Sequence, residues 1–181
     1  MKLNKKLTVI ILGVGLAILN SCSSSLRTDC SPPEWFFKPP TDPNHFFAVK
    51  TATSTNMQLA IEKAETAARG GISKQVVAHV KTLEKKFIEE VGGVENAEVN
   101  QHFKTVIKIV SKTTLVGSKV IESKVCNENN GYRAYVLVDY PIGVANKALV
   151  EQLKKDKLLY ERFRSTSAYK ELEEETKNLP E

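Results

Sequence analysis

The run Asn127-Glu128-Asn129-Asn130-Gly131 constrains this 181-residue chain more than any other feature. Asn and Gly tolerate the backbone angles that a tight reversal needs. On either side stand segments that read as strands, Leu115–Cys126 and Tyr132–Tyr140. In the second, Tyr132, Ala134, Val136 and Val138 alternate with Arg133, Tyr135, Leu137 and Asp139, the period of two that a strand requires. The two form an antiparallel hairpin, which Pro141 ends.

The rest of the chain must cover that hairpin. His45 to Thr53 reads as a strand, and Ser54 or Thr55 can cap the helix that follows. There Ala60, Ala64, Ala67 and Ala68 make a small-residue face suited to close packing on a sheet. Gly70-Gly71 either ends this helix or weakens it by about 1 kcal/mol per glycine. Gln75 to Phe87 fits both periods. Its β-branched start favours a strand, which is the expectation adopted. From Glu95 to Ser111, Val99, Phe103, Val106, Ile107 and Val110 recur at helical spacing. Gly143 to Asn178 reads as helix, with a break expected near Ser165-Thr166-Ser167 and a stripe of Ala145, Leu149, Leu153, Leu159 and Phe163. The expected fold class is α+β: an antiparallel sheet of three to four strands packed by two helices, plus a C-terminal helical segment. At 41% hydrophobic and 26% charged residues, the composition is that of a globular chain and excludes wholesale disorder.

At the amino terminus Lys2, Lys5 and Lys6 precede an apolar stretch from Leu7 to Leu19, the layout of a secretory signal. Leu19-Asn20-Ser21-Cys22 resembles a bacterial lipobox, although Asn20 departs from the small or β-branched residue usual there. That resemblance implies cleavage before Cys22, acylation of its thiol and an anchor in the membrane. Ser23 is not the Asp that retains many lipoproteins in the inner membrane, so the outer membrane is expected, at its periplasmic face or the cell surface. The resulting organisation is a signal over 1–21, a lipidated cysteine and Pro-rich tether over 22–43, an α/β domain over 44–142, and a helix with an acidic tail over 143–181. Without Lys2, Lys5 and Lys6, the 26 Lys+Arg fall to 23 against 21 Asp+Glu, a net of +2. That balance gives no reason to expect a nucleic-acid partner. Outside the cytoplasm Cys30 and Cys126 can form a disulfide, contributing at most about 4 kcal/mol by chain entropy, or remain two thiols.

Two features bear on partners. Glu34-Trp35-Phe36-Phe37, set among prolines, reads as a plug on the domain or as an exposed patch for a partner or the bilayer interface. The C-terminal segment is split in charge, +3 over 144–164 and −3 over 165–181. It reads either as a helix that pairs antiparallel with a second copy or as one folded back on its own domain. Trp35, Phe36, Leu153 and Phe163 are the expected partner surface.

Taken in order, Pro33-Glu34-Trp35-Phe36, Phe46-Phe47-Ala48-Val49, alanines 60, 64, 67 and 68, Leu115-Val116-Gly117 and Tyr132-Arg133-Ala134-Tyr135-Val136-Leu137-Val138 resemble the Lpp-twenty lipoprotein family. Its relatives include the flagellar assembly lipoproteins FlgO and FlgP. The match spans about residues 33–140. Ala48-Val49-Lys50 stands where the family often has Gly-Val-Gly, which puts a glycine-dependent close approach there in doubt. The resemblance implies helices on an antiparallel sheet, anchored in the envelope, and a structural or assembly role with no catalytic residues.

No catalytic residues, metal ligands or cofactor are expected from the motifs either. His45, His79 and His102 are scattered, there is no C-x-x-C, and neither Gly70-Gly71 nor Gly92-Gly93 has a phosphate-loop pattern. The expected function is a structural or assembly lipoprotein, as a homo-oligomer or with an envelope protein partner. The alternative is a module that binds an apolar ligand or cell-wall fragment in a pocket lined by Phe103, Phe47 and Tyr135. An envelope hydrolase would need His79 or His102 beside a carboxylate and a nucleophile.

Overall fold

The structure, a computed structural model, describes residues 30–91 and 97–177. The signal segment and Cys22 lie outside the described residues, as do Gly92-Gly93 and the last four residues. The chain runs α1 (Glu34–Phe37), β1 (His45–Ser54), α2 (Met57–Val91), α3 (Ala97–Gly117), β2 (Lys119–Glu128), β3 (Gly131–Pro141), α4 (Ile142–Leu153), α5 (Lys157–Arg164) and α6 (Ser167–Lys177). The fold is α+β, with one antiparallel sheet in the order β1-β3-β2.

The hairpin forms where the turn signal places it. Asn129 takes the left-handed conformation at φ 52°, and Glu128 pairs with Gly131. Gly131 is required by space: a Cβ there would lie 2.7 Å from the carbonyl oxygen of Ser54, where β1 ends. β2 starts at Lys119, four residues later than expected, because α3 continues through Gly117.

β3 is the central strand, and Ala134 through Val138 are buried without interruption. The alternation of its sequence suggests one apolar face, yet both faces are covered. Ala134, Val136, Val138 and Tyr140 join the core shared with the helices. On the other face, Tyr135 and Leu137 are sealed from solvent as well. The segment before β1, expected to contain no helix, forms one helical turn there. Prolines bracket Glu34–Phe37 closely, and Pro33 precedes the first turn, where a missing N–H costs nothing.

The largest departure concerns α2. Residues 75–87, expected as a strand, continue the same helix across Gly70-Gly71. The reason is the stripe Ala60, Ala64, Ala68, Ile72, Val76, Val80, Leu83, Phe87, which keeps spacings of four and three over the whole length and is buried throughout. A single apolar stripe from Ala60 to Phe87, on a helix 35 residues long, outweighs the β-propensity of Val76, Val77 and Val80. Ala67, expected on the packing face, is exposed. α2 runs back along the sheet from the end of β1, and Phe46 meets His79 edge to face at 5.8 Å. Beyond His79 the helix packs against other helices.

The C-terminal segment breaks twice. The expected break lies at Ser165–Thr166. The other, at Lys154–Asp156, is stabilised by Asp156, whose carboxylate accepts from the Leu159 N–H at 3.0 Å. The stripe survives both breaks: Ala145, Leu149, Leu153, Leu159 and Phe163 are all buried in the same core as the sheet.

Candidate functional site

Two clusters stand out, one on each side of the sheet. The first is the strap formed by residues 30–43 on the face away from the helices. Its start is fixed covalently, because Cys30 and Cys126 form a disulfide with Cα atoms 5.3 Å apart. Polar contacts reinforce it. The Tyr135 hydroxyl donates to the Cys30 carbonyl at 3.0 Å, and Lys124 Nζ donates to the Ser31 carbonyl at 2.9 Å. Phe36 lies edge-on to the Tyr135 ring at 5.2 Å and to Phe37 at 5.7 Å. Trp35 and Phe36 are half-buried, whereas Phe37 is 70% exposed. The aromatic turn is thus both a plug on the sheet and the source of one outward aromatic ring.

The second cluster lies in the helical layer. The His79 Nε2–H group faces Asn146 Oδ1 at 2.9 Å and Glu175 Oε2 at 3.4 Å, and Asn146 Nδ2 donates to the same carboxylate at 2.6 Å. Asn146 is fully buried, and these contacts satisfy both ends of its amide. Burial opposes charge on His79. Hydrogen bonds to Glu175 and Asn146 and the nearby charges of Glu175 and Glu171 outweigh it, and the pKa rises above the ordinary 6.5. For Glu175 burial would raise the pKa, but the bonds to His79 and Asn146 and the charges of His79 and Lys86 hold it below the ordinary 4.5. Around this triad Lys86 pairs with Glu171, and Glu90 binds the Ser167 hydroxyl and, at 2.8 Å, its N–H. These contacts fasten the acidic α6 to α2.

Several expected site residues fall elsewhere. Leu153 and Phe163 are not a partner surface: both are fully buried, because the segment that carries them folds onto its own domain. Its acidic end meets Lys86 and His79 of α2, which removes the continuous charge-split helix that a second copy would have paired with. Phe103, Phe47 and Tyr135 do not line one pocket. Phe103 packs with Phe87 at 5.8 Å and Phe163 at 6.5 Å, while Tyr135 lies under the strap on the opposite face of the sheet. Phe47 borders an open depression of about 470 Å³ with Pro39, Pro43, His45 and Gln75. A second depression, about 440 Å³, lies at the hairpin tip beside Thr53 and Arg133.

Each histidine has a carboxylate neighbour. His45 Nδ1 is 2.6 Å from Asp139, and His102 Nδ1 is 3.8 Å from Asp156. No hydroxyl or thiol among the described residues bonds His79. Among the described residues no group of His, Cys, Asp or Glu is placed to hold a metal ion, and no helix is long and apolar enough to cross a membrane. The Asn146–Glu175 contact was missed in the sequence, since an Asn inside a helix carries no signal until its burial is known. No family model, curated protein or solved structure matches this chain.

Proposed function

We propose that this chain is a non-catalytic lipoprotein of the bacterial outer membrane, anchored by acylated Cys22, that serves as a structural or assembly factor of the cell envelope. The observation that carries the reading is the Cys30–Cys126 disulfide. Such bonds persist in oxidising compartments such as the periplasm, where the amino-terminal signal would deliver the chain. The bond also lies only eight residues after Cys22, so the anchor would sit within at most about 28 Å of the folded domain. A domain held so close to a bilayer is suited to docking with other envelope proteins rather than to reaching far from the membrane. The resemblance to the Lpp-twenty lipoproteins makes a flagellar assembly the first partner to seek.

The test is cross-linking in intact cells, followed by purification of the tagged full-length protein, with Cys22→Ala as the anchoring control. Capture of basal-body or envelope-scaffold proteins that the control loses supports the reading. Equal capture by both forms, or an unmodified Cys22 in the mass spectrum, sinks it.

A further inference from the structure

The strap has an orientation that the anchor alone does not explain. Cys30 is bound to the sheet on the face opposite the helices, and the aromatic turn follows it immediately. The chain from the acylated Cys22 of the proposed function therefore reaches the domain on that face, at Cys30, four residues before Glu34. Within α1, Trp35 and Phe36 rest half-buried on the sheet while Phe37 projects at 70% exposure. Glu34 and Lys38 flank the turn with opposite charges, so the patch has no net charge to concentrate a charged ligand. Trp and other amphipathic aromatic groups favour the boundary between acyl chains and water. An outward Phe costs solvation wherever it faces water and gains wherever it meets that boundary.

Resting on the lipoprotein reading, we propose that the Trp35–Phe37 turn seats in the interfacial layer of the bilayer that holds the Cys22 acyl chains. The strap-covered face of the sheet then lies against the membrane, and the helical layer with α6 faces away from it. The occupant follows from the chain itself. The connection from Cys22 to Cys30 spans at most about 28 Å and enters on this face, so the bilayer is the occupant that the chain itself brings close to it.

Trp35 is the only tryptophan, so its fluorescence reports on this turn alone. The acylated full-length protein is reconstituted into vesicles of phosphatidylethanolamine and phosphatidylglycerol, with and without lipids brominated on the acyl chains. The expected result is a blue-shifted Trp35 emission quenched by the brominated lipids and shielded from aqueous iodide. Phe37→Ser, at an exposed position, is expected to leave the fold and disulfide intact and to reduce the brominated-lipid quenching. Quenching by iodide alone would overturn the proposal, and so would shielding from both quenchers, which would mean that protein covers the turn. The Cys22 peptide mass from the same sample separates the two ideas. Acylated Cys22 with unquenched Trp35 defeats the seating and leaves the lipoprotein reading standing, whereas unmodified Cys22 defeats both.

Discussion

Along α2 the buried stripe runs Ala60, Ala64, Ala68 at one end and Val80, Leu83, Phe87 at the other. The first end lies on a sheet and the second among helices. On the sheet, small side chains let two backbones approach, and order is added by polar and covalent links: Gln75 Nε2 donates to the Phe47 carbonyl at 2.8 Å, Arg69 holds Ser118, and the disulfide closes the far face. Among the helices, large rings fill the space. Phe87, Phe103 and Phe163 lie with centroids 5.7–6.5 Å apart, and Tyr169 meets Phe163 edge-on at 5.8 Å. One end is set by distance and the other by volume, so the two should fail differently.

The largest effect is expected at the volume-filled end. Phe163→Ala would leave a hole between Phe87 and Phe103 and should cost about 3–5 kcal/mol, read from the urea midpoint. Its damage should concentrate in α5 and α6, with Trp35 emission unchanged until global unfolding. If Trp35 responds first, the two ends are not separate. Next is the disulfide, whose removal by Cys126→Ser should cost roughly 2–5 kcal/mol. Here the order reverses: Trp35 emission should shift to the red before helical signal is lost. Simultaneous loss of both would mean that the strap and the helical layer fold as one cooperative unit.

Histidine titration sharpens the comparison, because His79, the member of the triad that α2 contributes, stands where the two regimes meet. The folded pKa of His79 is raised, so its contribution is full below the ordinary 6.5 and is lost as pH rises through the raised value. That of Glu175 is lowered, so its contribution is full above the ordinary 4.5 and is lost as pH falls through the lowered value. Both act together between 4.5 and 6.5. Within that window Glu175→Gln should cost about 1.5–3 kcal/mol, and well above it less, because neutral His79 no longer needs the charge. A cost independent of pH would mean that Glu175 acts through Asn146 alone.

The sequence made these two regions legible to different degrees. The hairpin was readable because its signals are local: a turn of Asn and Gly between strands of period two. The fold class and the stripe Ala145–Phe163 were readable for the same reason. The continuation of α2 through Gln75–Phe87 was not, since Val76, Val77 and Val80 favour a strand locally and only the stripe over eight turns decides the matter. Leu153 and Phe163 looked like a partner surface because an amphipathic stripe does not say whether it covers its own core or another chain's. The two-sided burial of β3 depended on a strap whose position is fixed by Cys126, ninety-six residues away, which periodicity cannot show.

The smallest predicted effect tests the distance-set end most directly, because two adjacent glycines answer for each other. Gly70 and Gly71 both sit inside a helix, where Ala is favoured by about 1 kcal/mol. Around a Cβ at Gly70 there is nothing within 4 Å, so Gly70→Ala should stabilise by about 0.5–1 kcal/mol. A Cβ at Gly71 would lie 3.1 Å from the Cβ of Ala48, tighter than a relaxed contact. The strand carries Ala48 at this crossing, and the helix facing it carries the glycine. Gly71→Ala should therefore gain the same propensity and lose it again to crowding, leaving a stability close to that of the parent. The pair Gly71→Ala with Ala48→Gly exchanges the two roles, and thermal midpoints read both. Recovery of part of the Gly70→Ala gain in the double variant would establish that the helix–strand separation is what the glycine protects. Equal stabilisation by Gly70→Ala and Gly71→Ala would show instead that the sheet yields, and that the distance at this end of α2 is not fixed by small residues at all.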